Sequence, residues 1–266
     1  MILINSILVL GILGFIFAAL LAIAANYFRI ETDPRLESIV AILPGTNCGA
    51  CGAAGCHDFA EKLMKGEVQV SGCLSGGAEV AEKLAGIMGV TGLEVHRQVA
   101  TVHCGAKENQ RTKKASYAGV KTCSAADLVD NGGLYCGYAC LGYADCFCVC
   151  PFDAIRMIDG LPVVDPEKCT ACGKCVAACP RKIISLRPFG KDIVVACSSR
   201  DIGAYVRKIC PVGCIGCRIC EKLVPEVFKV GDNLAVVNYT VTGIDCRPAV
   251  EKCPTRCILD LSKKDP

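Results

Sequence analysis

This 266-residue chain lacks the glycine-rich motifs with which many proteins bind nucleotides. Neither G-x-G-x-x-G nor G-x-x-x-x-G-K-[ST] follows a strand-like run, and these are the loops that cradle phosphates at the start of a helix. The sequence therefore gives no dinucleotide or nucleoside-triphosphate site. Histidine is also scarce, and we assign none of His57, His96 and His103 to a metal.

Charged side chains are missing from residues 2–28, and the first one is Arg29. This apolar run is long enough to cross a bilayer, which needs about 20 residues. A signal peptide is the alternative, because Ala22 and Ala24 resemble a cleavage site. However, no Lys or Arg precedes the run, which is long for the apolar core of a signal peptide. We predict that residues 1–28 form a single uncleaved transmembrane anchor.

Cysteine, in contrast, is abundant, with 23 in the chain. Such a content would suggest a disulfide scaffold in a short secreted protein. This chain is not short, and its cysteines bunch in metal-ligand spacings, which favours a reducing compartment. The cysteine-rich body is therefore predicted to lie on the cytoplasmic side of the membrane.

Eight of the nine cysteines between residues 136 and 180 form two linked sets, and each set ends in Cys-Pro. The second set has the C-x2-C-x2-C-x3-C-P spacing of bacterial ferredoxins, whose fourth cysteine ligates the other cluster. The rigid proline directs that cysteine away from its own run. Zinc and disulfides are the alternatives, but zinc sites usually show paired C-x2-C knuckles with a longer spacer. We predict two [4Fe–4S] clusters, one held by Cys136, Cys140, Cys146 and Cys179, the other by Cys150, Cys169, Cys172 and Cys175.

A separate cysteine set with the spacing C-x2-C-x4-C-x16-C lies between the apolar run and the central sets. Gly49, Gly52 and Gly55 allow the backbone to fold tightly around a ligand. Residues 58–65 and 78–88 have helical patterns. A structural zinc site is the alternative, but we predict a small helical domain over 33–92 with one [4Fe–4S] cluster. Its ligands would be Cys48, Cys51, Cys56 and Cys73.

The C-terminal region carries a third cysteine-rich unit, a degraded copy of the central one. Its run ends in Val224, where a fourth cysteine would stand, and counting back from Cys253 places Gly243 and Ala249 at two further cysteine positions. Because these side chains have no donor atom, one cluster of the copy has lost most of its ligands, and only Cys246 survives. We predict a single-cluster ferredoxin-like domain over 205–266. Its ligands would be Cys214, Cys217, Cys220 and Cys253.

The repeats indicate an α+β chain in which tandem ferredoxin-like units follow the anchor and the helical domain. Each unit is expected to have the pseudo-twofold βαβ arrangement, and the central one is assigned to residues 135–190. Hairpins are predicted over 156–164 and 227–237. The intervening residues 93–134 include a charged stretch and are interpreted as a solvated linker region.

Seven cysteines remain outside these sets: Cys104, Cys123, Cys148, Cys197, Cys210, Cys246 and Cys257. Free cysteines often behave as small buried hydrophobic residues. A fifth cluster held by Cys104, Cys123, Cys197 and Cys210 is an alternative that no spacing requires.

The formal net charge of +3 counts every cysteine as neutral. Each [4Fe–4S] core with four thiolates adds about −2, so four loaded sites would make the protein acidic. A basic surface for nucleic acid is therefore not expected, and nucleic acid is not among the predicted partners.

One apolar helix, then C-x2-C-x4-C-x16-C, then ferredoxin repeats is an order that resembles the B subunit of the Rnf complex, the ion-translocating ferredoxin:NAD oxidoreductase. The resemblance is strongest over residues 43–56 and 141–180, and the tail from Cys197 resembles the extended form of that protein. Val224 and Ala249 depart from a full ferredoxin repeat.

The resemblance implies an electron-relay subunit in an inner cell membrane. It would accept electrons from soluble ferredoxin and pass them to membrane and flavin-bearing partners that reduce NAD and move Na⁺ or H⁺. The chain itself would bind neither NAD nor flavin and would perform no bond chemistry of its own. A polyferredoxin subunit of another membrane hydrogenase or dehydrogenase is the alternative, and an iron–sulfur sensor or scaffold is a third interpretation.

Overall fold

A computed structural model describes residues 2–27, 33–90 and 97–262 of the chain. His96, the predicted boundary at residues 92 and 93, and both Met1 and Phe28 of the anchor lie outside the described residues. The helices are α1 (Ile2–Tyr27), α2 (Pro34–Ile42), α3 (Cys56–Met64), α4 (Gly77–Met88), α5 (Cys123–Asp127), α6 (Asp145–Cys148), α7 (Lys174–Ala178), α8 (Gly203–Ile209), α9 (Ile219–Leu223) and α10 (Arg247–Glu251). The strands are β1 (Gln98–Val102), β2 (Ile155–Ile158), β3 (Leu161–Val164), β4 (Ile184–Pro188), β5 (Ile193–Val195), β6 (Phe228–Gly231), β7 (Leu234–Val237) and β8 (Ile258–Asp260).

The N-terminal helix α1 is predominantly apolar and contains no charged residue. Residues Asn5–Ala24 are long and apolar enough to cross a membrane, and none of that span is buried against the rest of the protein. A helix satisfies all of its own backbone hydrogen bonds, which is the requirement for a segment surrounded by lipid. The helix agrees with the extent of the apolar run predicted from the sequence.

Helices α2, α3 and α4 form the small helical domain predicted around the first cysteine set. Asp33 caps α2 by accepting a hydrogen bond from the Arg35 amide at 2.9 Å. Ile39, Phe59 and Leu84 meet in its core and are almost fully buried. The helices at 58–65 and 78–88 are thereby confirmed, with starts one or two residues earlier than predicted.

The central unit is built from a hairpin and an outer strand pair. The hairpin joins β2 to β3 with Ile158 opposite Leu161, which confirms the hairpin predicted over 156–164. The outer pair joins β1 to β4 in antiparallel register, with Val102 opposite Ile184. Short helices α6 and α7 pack on each other between these strands.

The C-terminal unit repeats this plan with fewer residues. Its hairpin joins β6 to β7, with Gly231 opposite Leu234, as predicted. Its outer pair joins β5 to β8, with Val195 opposite Ile258. Helices α9 and α10 take the places of α6 and α7.

Residues 97–134 are not a solvated linker over their whole length. Strand β1 belongs to the central unit through its pairing with β4. Arg111, in the charged stretch, is buried and donates hydrogen bonds to the carbonyls of Ala106 and Gly160 at 2.9 and 2.7 Å. The charge of this stretch suggested that its side chains face solvent. The Arg111 guanidinium instead donates to backbone carbonyls inside the fold, because a buried cation needs hydrogen-bond partners.

Candidate iron–sulfur sites

Five cavities in the described part of the chain are each lined by at least four cysteines. They are alike in size, with 320–420 Å³ of space not filled by protein atoms, part of it open to solvent. None of the 23 cysteines forms a disulfide. The similarity of the cavities lets the less regular cysteine sets be compared with those of ferredoxin spacing.

The N-terminal site is the cavity lined by Cys48, Cys51, Cys56 and Cys73, as predicted from their spacing. Gly49 and Gly52 have φ angles of 70° and 80°, which favour glycine and let the loop turn around the cavity. Burial opposes ionisation of the Cys48 thiol. The Ser75 hydroxyl, 3.0 Å from its Sγ, together with the Ala50 amide and the Thr46 hydroxyl, outweighs burial, so the pKa of Cys48 lies below its ordinary value.

The second central site is lined by Cys150, Cys169, Cys172 and Cys175, again the predicted set. The Ala100 amide on β1 donates to the Cys169 Sγ at 3.4 Å. Burial raises the pKa of Cys175 to about 11, and the neighbouring cysteine charges add to the effect. Thiolates in such surroundings need a compensating positive charge, which a coordinated metal core supplies.

The first central site differs from its predicted composition by one residue. Cys140, Cys146 and Cys179 line one cavity together, but Cys123 completes the four there. Cys136 lines a different cavity. Burial raises the pKa of both Cys140 and Cys146 to about 12.

Two polar side chains explain how Cys123 reaches this site. Asp145, next to Cys146, accepts hydrogen bonds from the Cys123 and Ser124 amides at 2.8 and 3.0 Å and so holds the start of α5. Arg181, which follows Cys179-Pro180, donates to the Asp127 carboxylate at 2.7 Å at the end of the same helix. These contacts link residues far apart in the chain, and cysteine spacing carries no information about them.

The C-terminal site is lined by the predicted Cys214, Cys217, Cys220 and Cys253, with Cys257 as a fifth thiol. The Cys257 side chain is buried, and its Sγ lies 3.6 Å from that of Cys253. The nearby Cys257 thiol lowers the pKa of Cys214 and Cys253, while its own pKa is raised. The opposite directions of these shifts make Cys257 the thiol of the three that keeps its proton to the highest pH, so it can donate to its neighbours.

We expect Cys257→Ala to leave the iron content unchanged but to make the reduction potential of the C-terminal cluster more negative. Hydrogen bonds to cluster sulfurs stabilise the reduced, more negative state, and this variant removes one. Redox titration followed by EPR measures the shift. Cys257→Ser keeps a hydroxyl donor and should restore most of it, whereas loss of iron in Cys257→Ala would make Cys257 a ligand.

The fifth cavity, which we call the bridging cavity, is lined by Cys104, Cys136, Cys197 and Cys210. Three of these belong to the alternative fifth set of the sequence analysis, and Cys136 stands where that set had Cys123. Burial raises the pKa of Cys197 to about 12 and also raises that of Cys136 and Cys210. The four thiols come from four separate segments of the chain.

A zinc site was the main alternative for these cysteines. Tetrahedral zinc holds thiolates at about 2.3 Å and so needs their sulfurs in mutual contact. Within residues 2–27, 33–90 and 97–262, no group of three or more Cys, His, Asp or Glu side chains is arranged to hold a metal ion. The choice between zinc and clusters therefore rests on the cysteine spacing and on the two Cys-Pro ends of the central sets.

Three family models match the chain. The model described as "Putative Fe-S cluster" matches residues 43–75, which contain the N-terminal site. A 4Fe-4S binding domain matches residues 162–185, with most of the second central site. The 4Fe-4S single cluster domain of Ferredoxin I matches residues 209–260, in agreement with one cluster in the C-terminal unit.

Whole-chain relatives decide the family. The chain is 42% identical over 96% of its length to the B subunit of the Na⁺-translocating ferredoxin:NAD⁺ oxidoreductase complex of Acetobacterium woodii, covering 78% of that protein. It is 37% identical to the B subunit of the ion-translocating oxidoreductase complex of Methanosarcina acetivorans, over 97% of the chain and 98% of that protein. The proton-translocating counterpart of Clostridium ljungdahlii is 39% identical over 94% of the chain and 89% of its own length.

The chain belongs to the family of Rnf B subunits. The resemblance drawn from the order of its motifs is confirmed. The Rnf relatives are named as subunits of complexes that translocate either Na⁺ or protons, so family membership leaves the coupling ion of this chain open.

The sequence contains one indication that Cys136 does not belong to the first central site, although ferredoxin spacing alone does not show it. Cys136 precedes Cys140 by four residues, and Cys210 precedes Cys214 by the same interval. Comparing the two units at this position shows that Cys136 is equivalent to Cys210. Because Cys210 lies outside its ferredoxin set, the equivalence would have excluded Cys136 from the first central set. No such signal marks Cys123, whose place depends on Asp145 and Arg181.

Proposed function

We propose that this protein relays electrons through [4Fe–4S] clusters within an ion-translocating ferredoxin:NAD⁺ oxidoreductase complex. Bound clusters supply one-electron carriers whose potentials depend on burial and on hydrogen bonds to sulfur. The chain supplies thiolates, amide donors and low-dielectric surroundings. Soluble ferredoxin is the proposed donor, and flavin-bearing and membrane subunits are the proposed acceptors that reduce NAD⁺.

The observation that carries this proposal is that the cysteine-lined cavities lie close to one another. The two central sites share one core, in which Cys140, Cys146 and Cys175 are packed together. Cys48 of the N-terminal site is close enough to Cys172 to raise its pKa, after the larger effect of burial. Adjacent carriers serve electron transfer, whereas a sensor or scaffold needs only one site.

The proposed ligand sets follow the cavities. The N-terminal, second central and C-terminal sites keep the sets predicted from spacing, and the first central site takes Cys123 in place of Cys136. The shared plan of outer strand pair and inner hairpin supports two tandem units of pseudo-twofold ferredoxin type. We propose to begin the central unit at β1 and the C-terminal unit at β5.

Reduced ferredoxin is expected to reduce the purified chain rapidly, which bleaches its visible absorbance in an anaerobic stopped-flow experiment. Added NAD⁺ should not reoxidise the chain, because the group that reduces NAD⁺ lies on a partner. Adding the partner subunits should restore that reoxidation. A chain that ferredoxin leaves oxidised would instead have a structural role.

Deleting residues 2–27 is expected to release the chain from membranes with its clusters retained. The apolar helix α1 buries none of its candidate span in the rest of the protein, so its removal costs the domains little packing. Sedimentation with membrane vesicles and iron content measure the two effects. Leu13→Ala keeps the span and serves as the control; a full-length chain soluble without detergent would contradict the anchor.

Arg29 and Arg35 both follow the span in the sequence. Since basic residues favour the cytoplasmic side, we propose a cytoplasmic placement of the cluster domains.

A further inference from the structure

The bridging cavity lies at the junction of the central and C-terminal units. Cys104 packs against the core that contains Cys140 and Cys146, whereas Cys197 packs against the core that contains Cys214 and Cys220. Each unit therefore contributes part of its wall. A ligand held there would touch both units.

The two units contribute to this cavity in equivalent ways. Cys104 lies two residues beyond the end of β1, and Cys197 lies two residues beyond the end of β5. These strands are the first members of the two outer pairs. Cys136 precedes Cys140 of the first central site by four residues, and Cys210 precedes Cys214 of the C-terminal site by the same interval. The four thiols are thus two matching pairs, one from each copy of the repeat.

Backbone contacts hold the four segments together around the cavity. The Gly105 amide donates to the Ala196 carbonyl at 2.9 Å, which joins the residues beside Cys104 and Cys197. The Thr112 hydroxyl donates to the Ile209 carbonyl at 2.8 Å, next to Cys210. The Ser198 hydroxyl donates to the His103 carbonyl at 2.9 Å. Such contacts across two units build a fixed site rather than a gap between loosely packed domains.

The surroundings of the thiols match those of the other cluster sites. The Cys140 amide donates to the Cys104 Sγ at 3.4 Å, as the Ala100 amide does to Cys169 in the second central site. The Ser199 amide donates to the Cys197 Sγ at 3.4 Å. Amide donors to sulfur are the usual support of cluster ligands. Disulfides are absent here, since all four cysteines are free.

We propose that Cys104, Cys136, Cys197 and Cys210 hold a further [4Fe–4S] cluster that joins the two ferredoxin-like units in series. The proposal rests on the relay function proposed above and adds a carrier to it. Cys104 accepts from the backbone of Cys140 in the first central site, and Cys197 packs against the core that contains Cys214 of the C-terminal site. The bridging cluster would lie between these two sites and connect them.

The test uses the full chain, purified and reconstituted anaerobically in detergent, with iron and acid-labile sulfide counted per chain. Cys104→Ala and Cys210→Ala are each expected to lose about four irons, and EPR of the reduced protein should lose one cluster spin. The double variant should also lose about four, because both residues serve one cluster. Cys136→Ala and Cys197→Ala repeat the comparison with the other two ligands.

Two further variants separate this proposal from the relay function. Cys246→Ala removes a cysteine that lines none of the five cavities and should lose no iron. Cys169→Ala should lose about four irons, and combined with Cys104→Ala about eight. No loss in the Cys104 and Cys210 variants, or an additive loss in their double, overturns the bridging cluster. If Cys169→Ala still loses its four, the relay proposal stands; if it loses none, that proposal fails as well.

Discussion

Cys136→Ala/Cys140→Ala is expected to lose about eight irons per chain, whereas Cys123→Ala/Cys140→Ala should lose about four. In the structure Cys136 and Cys140 line different cavities, but Cys123 and Cys140 line the same one. A cluster that has already lost one ligand loses little more when a second is removed. Iron and sulfide analysis after anaerobic reconstitution distinguishes the two double variants.

These variants are matched because each removes two thiols and both contain Cys140→Ala. Equal losses would mean that Cys136 and Cys140 serve one cluster, as their spacing alone predicts. Cys148→Ala is a suitable control for general damage, since Cys148 is exposed and lines none of the cavities described above. It should lose no iron.

Cysteine spacing predicted which thiols line a common cavity wherever those cysteines lie close together in the chain. The C-x2-C-x2-C run from Cys169 to Cys175 wraps one cavity because so few residues separate its thiols. The Cys-Pro rule also placed Cys150 and Cys179 at the cavity of the other run. Short-range geometry and one rigid residue determine these positions, and both can be seen in the sequence.

Spacing was insufficient where a cavity-lining cysteine comes from a distant segment. Cys123 reaches its cavity through hydrogen bonds to Asp145, and α5 is held at its other end by Arg181. Likewise β1 was placed in a linker because its partner β4 lies more than 80 residues later. Pairing between distant segments leaves no periodic pattern in the sequence near either partner. Hairpins β2–β3 and β6–β7, whose partners are adjacent in the chain, were predicted correctly.

The segment around Gly133 shows how the residues between β1 and the first central site are packed. Gly133 has a φ angle of 75°, and its carbonyl accepts hydrogen bonds from the Lys114 and Ala115 amides at 2.8 and 3.2 Å. A Cβ at this position would lie 2.3 Å from the Ala115 carbonyl oxygen. The neighbouring Leu134 lines the bridging cavity. Glycine is therefore required here both by its backbone angle and by the close approach of another backbone.

Gly133→Ala is expected to destabilise the protein by about 3 kcal/mol or more, because left-handed strain adds to a backbone clash that no side-chain rotation relieves. The matched control is Gly190→Ala, whose φ angle of 78° is nearly the same but whose Cβ would meet nothing within 4 Å. It should cost only the strain, about 1 kcal/mol. Anaerobic unfolding in denaturant, followed by circular dichroism and by loss of visible absorbance, compares the two.

Because the clash shifts the segment that carries Leu134, Gly133→Ala should also lose iron from the bridging cavity, with the Cys169 set unaffected. Equal stabilities of the two variants would show that the 112–115 and 133–135 segments separate at little cost.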